Sequence, residues 1–228
     1  MIPNRRLLLP YAGPFLAYVM IASLVGEFTS PEINYLLRLI AVLAILVWAW
    51  KWYIPITGPG SPIVSVAFGV AAGIVGVILW MLLLLPFVGA VDSEPWSPAA
   101  FSLRLIAAGL LVPVFEEMLM RGFIFRLALQ WGEARKRREG EPLLTVLDER
   151  TINDVLPGAW SWTAVIISTL VFASGHQMYE WPASVAFGLL MSLLWIIRKD
   201  LLTCITAHSI TNICLAVYVL KTGSWQLW

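Results

Sequence analysis

Long apolar runs, parted by short polar or proline-containing connections, fill most of the 228-residue chain. A helix must cover about 30 Å of hydrocarbon at 1.5 Å per residue to cross a bilayer. Seven runs are long enough or nearly so: residues 11–27, 33–54, 62–91, 99–127, 159–178, 182–198 and 201–221. The third is long and predicts a tilt or a break near Pro86, and the sixth is short for a full crossing. The fold expected is all-α, a polytopic transmembrane helix bundle of about seven spans, with six or eight still open. Residues 1–98 supply the first three helices. Residues 99–221 form a second helical core that includes a polar loop at 131–158.

Inside that loop, Leu143, Leu144, Leu147, Ile152, Val155 and Leu156 approximate one helical face. They predict an amphipathic helix on the membrane surface, ended by Pro157-Gly158. In the third run, Gly69 and Gly73 are a small-xxx-small pair, which predicts close helix packing. The basic residues orient the bundle. Arg5 and Arg6, Lys51, Arg126 with Arg135, Lys136, Arg137 and Arg138, and then Arg198 and Lys199 fall on alternate connections. Glu27 and Glu32, Asp92 and Glu94, and Glu180 occupy the others. Seven alternating crossings put every Lys/Arg-rich connection on one side, so the N-terminus is expected in the cytoplasm and the C-terminus outside. Arg38 and Arg104, near outer helix ends, are exceptions that could snorkel.

Composition agrees with a membrane protein. Hydrophobic residues make up 60% of the chain and charged residues 13%, against about a quarter charged in soluble domains; mean hydropathy is +0.82. Twelve tryptophans suit two aromatic interfaces. A net charge of +1 argues against a nucleic-acid partner. Cys204 and Cys214 are too few for a disulfide scaffold and read as small packing residues.

Against that background the buried polar residues stand out, because ionisable groups at bilayer depth are costly and by default functional candidates. The only two histidines, His176 and His208, lie in apolar runs, as do Glu116 and Glu117. Glu117 and Arg121 are four apart and can pair on one helix face. Glu116 is rotated by about 100° from Glu117 and has no such local partner. Taken alone the pair would be a structural ion bridge, yet it leaves one acid too many. Pro113 cannot donate to the Gly109 carbonyl and predicts a kink just before the acids. Phe172, one turn before His176, can pack on the imidazole, and His208 and Asn212, one turn apart, can converge on one small volume. Each taken alone would be read as helix–helix hydrogen bonding.

Taken together, EEMLMR, FASGH and HSITN resemble the EExxxR, FxxxH and HxxxN motifs of the CPBP family. That family comprises the type II CAAX prenyl endopeptidases and the related bacterial bacteriocin-processing, or Abi, proteins. The resemblance covers roughly residues 99–220, and the first three helices carry no motif. It implies an intramembrane endopeptidase that hydrolyses a peptide bond of a membrane-associated protein or peptide. Glu116 and His176 would activate a water, His208 and Asn212 would stabilise the oxyanion, and Glu117, Arg121 and Phe172 would support the site. A divalent metal, zinc, held by Glu116, His176 and His208 fits these residue types as well as a metal-free mechanism does, although the H-E-x-x-H spacing is absent. The expected partners are the substrate and the lipid bilayer. A chain this short resembles a bacterial or archaeal member, which would lie in the plasma membrane.

Two other classes use the same residues. A proton-coupled transporter could relay protons through Glu116, His176 and His208, but no internal repeat accompanies them. A non-catalytic scaffold would use them as interhelical bonds. Cys204 as a nucleophile is disfavoured, because apolar surroundings make a thiol inert. Counted from the expected cytoplasmic ends, His176 lies about ten residues deeper than His208, or about 15 Å. Convergence therefore requires the fifth helix to project, to tilt or to start late. The site is expected in the cytoplasmic half to middle of the bilayer.

Overall fold

The computed structural model describes residues 2–89 and 93–228. Asp92 and the last two residues of the third apolar run lie outside the described residues. All regular structure among the described residues is helical. In chain order the helices are α1 (Asn4–Val25), α2 (Pro31–Ala49), α3 (Pro62–Leu84), α4 (Pro98–Lys136), α5 (Pro142–Glu149), α6 (Trp162–Ser174), α7 (Trp181–Arg198) and α8 (Leu201–Thr222). Six of them, α1 to α4, α7 and α8, are long and apolar enough to cross a membrane once their flanking turns are counted. Their outward faces carry exposed Leu16, Met20, Leu24, Ile40 and Leu43 in α1 and α2, and Ile63, Ile78 and Leu82 in α3. Apolar surface this continuous suits lipid rather than water.

Local signals set the helix starts. α2 and α4 begin at Pro31 and Pro98, behind Ser30 and Ser97, whose hydroxyls accept the amides of Ile33 and Ala100. Proline in a first turn sacrifices no ladder bond, and the serine satisfies an orphan amide. α3 ends at Leu84, and Pro86 lies in a 3₁₀ turn, as a break near that residue predicts.

α1 starts earlier than the apolar run because Asn4 is buried and clamped. Its Nδ2 donates to Gln130 Oε1 (2.8 Å) and the Val146 carbonyl (2.9 Å), and its Oδ1 accepts from the Ile152 amide (2.6 Å). This clamp changes the expected amphipathic helix in the 131–158 loop. α4 continues to Lys136, α5 stops at Glu149, and Ile152–Asp154 forms a separate 3₁₀ turn. Arg150 is extended (φ −120°, ψ 163°), which delivers Ile152 to Asn4. Val146 and Ile152 are buried while Leu143, Leu144 and Leu156 stay exposed, so the segment docks on α1 and α4 and keeps only part of an apolar outer face.

The Gly69/Gly73 prediction is met by the α3–α8 contact. A Cβ on Gly69 would lie 2.7 Å from Thr206 Cβ, and one on Gly73 would lie 2.6 Å from both the Ala207 carbonyl oxygen and Ile210 Cβ. Only glycine permits that approach. Contacts advance together along both helices, Gly69 with Thr206 and Gly76 with Thr211, so α3 and α8 run parallel. Thr211 Oγ1 donates to the Gly73 carbonyl (3.0 Å), which fixes the axial register of α8.

The fifth apolar run differs most from expectation. Instead of a helix over 159–178, α6 has 13 residues, about 20 Å in length and short of a full crossing. It starts late, behind the Ser161 cap, and ends at Gly175. A 3₁₀ turn at Met178–Glu180 then leads straight into α7. His176 therefore stands in the turn beyond α6.

Candidate active site

Two π-helical stretches, Ala107–Leu111 and Met118–Ile124, bracket the acidic pair in α4. Pro113 lies two residues beyond the first. Where its ring would leave an α-helical carbonyl unpaired, the preceding turn widens, so the expected break in the ladder appears as a π turn. Such turns rotate the following residues relative to a regular helix, and they concentrate at functional sites. Here they set the direction of Glu116 and Glu117.

Glu117 and Arg121 are fully buried and pair at 3.2 Å. Glu117 Oε1 also accepts from His208 Nδ1 at 3.0 Å, and Arg121 Nη2 donates to the Gly188 carbonyl (2.9 Å). The motif on α4 is thereby tied to α8 and to α7. Glu116 takes another direction. Its Oε2 lies 3.9 Å from His208 Nε2, and its side chain lines a cavity of about 210 Å³. At roughly 30 Å³ per water, that volume holds a few waters or a short stretch of peptide.

The cavity gathers most of the expected set. Glu116, Phe172, His176, His208 and Asn212 all line it, together with Trp80, Thr211 and Phe187. Glu117 and Arg121 stand behind the wall. Phe172 packs on both imidazoles, with ring centroids 4.7 Å from His176 and 6.2 Å from His208. Trp80 of α3 covers the other side of His176 at 5.4 Å. Asn212 Nδ2 donates to the Ala108 carbonyl (2.7 Å), inside the first π stretch. One amide hydrogen is thus used and the second is spare.

The partners of the two Nδ1 atoms are chemically different. His176 Nδ1 lies 3.0 Å from the Phe172 carbonyl oxygen, which can only accept, so Nδ1 carries the proton and Nε2 is left as a lone pair. His208 Nδ1 instead faces the Glu117 carboxylate, which accepts its N–H and holds the ring. Among the described residues, no three His, Cys, Asp or Glu side chains are grouped closely enough to hold a metal ion. As placed, Glu116, His176 and His208 do not form a zinc set. Cys204 is buried behind the wall, with its thiol toward the Met191 carbonyl.

The family model for type II CAAX prenyl endopeptidase Rce1-like proteins matches residues 98–214, just over half of the chain. The chain belongs to that family. It is thus an integral membrane protein of the CAAX-type intramembrane proteases, and the matched segment contains all three motifs. No curated protein and no solved structure matches it.

Several cavity residues were not singled out from the sequence. Trp80 belongs to α3, in the part of the chain without a motif. Arg104, read as a snorkelling exception, lines the cavity with Glu180, Leu227 and Trp228. A signal for it existed, because Arg104, Ala108, Val112 and Glu116 recur every fourth residue and share one stripe of α4. These rim residues also locate the mouth. They cluster where α4 begins, α8 ends and α6 turns into α7, which is the bundle end opposite Lys51, Arg135 and Arg198. The cavity therefore extends from Glu116 and His208 toward the end away from the basic connections.

Proposed function

We propose that the chain is an intramembrane endopeptidase in which Glu116 and His176 activate water, and His208 with Asn212 receives the oxyanion. The observation that carries this is the sorting of the two histidines by their Nδ1 partners. The carbonyl behind His176 leaves the Nε2 lone pair able to accept a hydrogen bond from the water and orient it. The carboxylate behind His208 holds the ring by Nδ1, and in the reaction Nε2–H donates to the developing oxyanion. Glu116 faces the cavity, takes the proton of the attacking water, and returns it to the leaving amine. Glu116 Oε2 and His208 Nε2, 3.9 Å apart, line the same cavity, so base and donor can address one bound carbonyl. Glu117, held by Arg121, positions His208. No step requires a metal.

The expected substrate is a membrane-associated protein or peptide. With basic connections inside, the N-terminus is cytoplasmic, the C-terminus outside, and the membrane that of a prokaryotic cell. The reading is tested by comparing the proteomes of membranes that carry the wild type, Glu116→Ala or His176→Ala. An uncut membrane protein should accumulate with either variant while insertion stays normal. Wild-type-like processing by either variant removes the mechanism.

A further inference from the structure

Arg38 of α2 and Arg104 of α4 form a pair of cations beside one aromatic ring. The Ser97 hydroxyl donates to the Glu32 carboxylate and so joins the starts of the two helices. Both helices run inward from there, and each arginine stands about 10 Å from its helix start at 1.5 Å per residue. The Arg38 guanidinium lies 4.6 Å from the Tyr35 ring centroid and 5.0 Å from that of Tyr18. The Arg104 guanidinium lies 6.0 Å from the same Tyr35 ring, 4.9 Å from Trp96 and 4.8 Å from Trp228. Stacking occupies the faces of a guanidinium and leaves its N–H edge free. Arg38 Nε is buried without a hydrogen-bond partner. Among the described residues, neither arginine pairs with a carboxylate. Glu32 is engaged with Ser97, and Glu180, on the cavity rim, accepts the Gln177 amide at 2.9 Å. Two like charges at the edge of the hydrocarbon repel each other, and an anion shared between them offsets that cost.

What lies one turn deeper decides the kind of anion. Leu39, Ile40, Leu43, Ile106, Leu110 and Leu111 line an almost wholly apolar groove between α2 and α4. Ile40, Leu43, Ile106 and Leu110 are exposed along it. A soluble anion makes no use of such a groove, whereas a phospholipid carries its acyl chains directly beneath its phosphate. Tyr18, Tyr35 and Trp96 are of the residue types that mark the boundary between headgroup and hydrocarbon.

We propose that Arg38 and Arg104 hold the phosphate of an anionic phospholipid, with one acyl chain seated in the α2–α4 groove. The lipid belongs to the leaflet away from Lys51 and Arg135, because both arginines stand near the opposite ends of their helices. A headgroup without an ammonium suits the site, since choline would bring a third positive charge. Bound there, the lipid ties α2, which carries no motif, to the helix that carries Glu116. The site is independent of the reaction in the cavity.

The test is binding, which needs no hydrolysis. Protein in neutral detergent is titrated with phosphatidylglycerol or phosphatidylcholine, and bound lipid is counted by native mass spectrometry. The wild type should bind phosphatidylglycerol about ten- to hundred-fold more tightly, the range expected for charge-assisted hydrogen bonds. Arg38→Gln should remove most of that preference, and Arg38→Lys, which keeps the charge without the fork, should retain part of it. Leu110→Trp, which fills the groove and leaves both arginines, should weaken phosphatidylglycerol binding. Glutamine at both Arg135 and Arg137, at the other end of the bundle, should leave the preference unchanged, and inorganic phosphate should not displace the lipid. Equal binding of the two lipids by the wild type overturns the proposal. So does a preference undiminished by Arg38→Gln, binding undiminished by Leu110→Trp, or a preference lost with Arg135 and Arg137. Displacement by inorganic phosphate overturns it too, because the site would then be one for a free anion.

Discussion

Glu117 offers the sharpest test, because two substitutions there separate charge from orientation. Its carboxylate is fully buried between Arg121 at 3.2 Å and His208 Nδ1 at 3.0 Å. Glu117→Gln is isosteric. With Arg121 alongside, the amide oxygen should turn to the guanidinium and the NH₂ to His208, which reverses the imidazole tautomer and leaves a proton on Nε2. The oxyanion donor survives but is neutral. Hydrogen bonds to charged groups exceed neutral ones by about 1 kcal/mol, and 1.36 kcal/mol is tenfold in rate, so turnover should fall about 5- to 10-fold. Glu117→Ala removes the hydrogen bond altogether and lets the ring rotate. That approximates loss of an oxyanion donor, about 10²–10³-fold. Glu117→Gln keeps a neutral hydrogen bond to Arg121 whereas Glu117→Ala strands it, so the alanine variant should also unfold more easily, and rates are compared per folded protein. The assay is the cleavage rate of the identified substrate in proteoliposomes, scaled to folded protein by gel filtration. If Glu117→Gln is as inactive as Glu116→Ala, or if Glu117→Ala is the milder variant, then Glu117 does not act by positioning His208.

Asn212→Ala should lower turnover about 10²–10³-fold and leave substrate binding nearly unchanged, because its spare amide hydrogen is needed only when the oxyanion forms; an equal rise in KM would place it in ground-state binding instead. Gly73→Ala forces a Cβ to within 2.6 Å of the Ala207 carbonyl oxygen. The overpacking cost of about 1–3 kcal/mol should lower the melting midpoint by about 2–12 °C, readable by thermal unfolding in detergent. Dialysis against a strong chelator should leave cleavage unchanged, because the donors are not grouped for an ion; activity lost on chelation and regained with zinc would require the site to rearrange around a metal.

How much of this could be read in the chain depends on what each feature obeys. The helices were legible because each follows local rules: apolar length, a Ser-Pro start, a proline or glycine end. Close packing at Gly69 and Gly73 was legible from two small residues one turn apart, although its partner, α8, was not. The three motifs were legible as polar residues out of place, and all of them reach the cavity or its supporting wall. The fifth run was misjudged because hydropathy measures apolar length, whereas α6 is limited by a Ser161 cap and by the Gly175 turn that carries His176. The surface helix was misjudged because a single buried side chain, Asn4, takes up the Ile152 amide from more than a hundred residues away. Neither competitor leaves a trace in local periodicity.

The depth mismatch of the two histidines shows how such a conflict resolves. Three remedies were available: projection, tilt or a late start. The chain combines a late start with an early stop, and the early stop is the one that matters chemically. His176, beyond the end of α6, keeps the Phe172 carbonyl within 3.0 Å of Nδ1 and is held between Trp80 and Phe172. His208, by contrast, remains mid-helix and receives its Nδ1 partner from another helix, α4. The two environments follow from those placements: a helix end offers a carbonyl outside the regular ladder, here shared with the Gly175 amide, and an interhelical contact can offer a carboxylate. The different Nδ1 partners of the two histidines thus originate in where α6 stops.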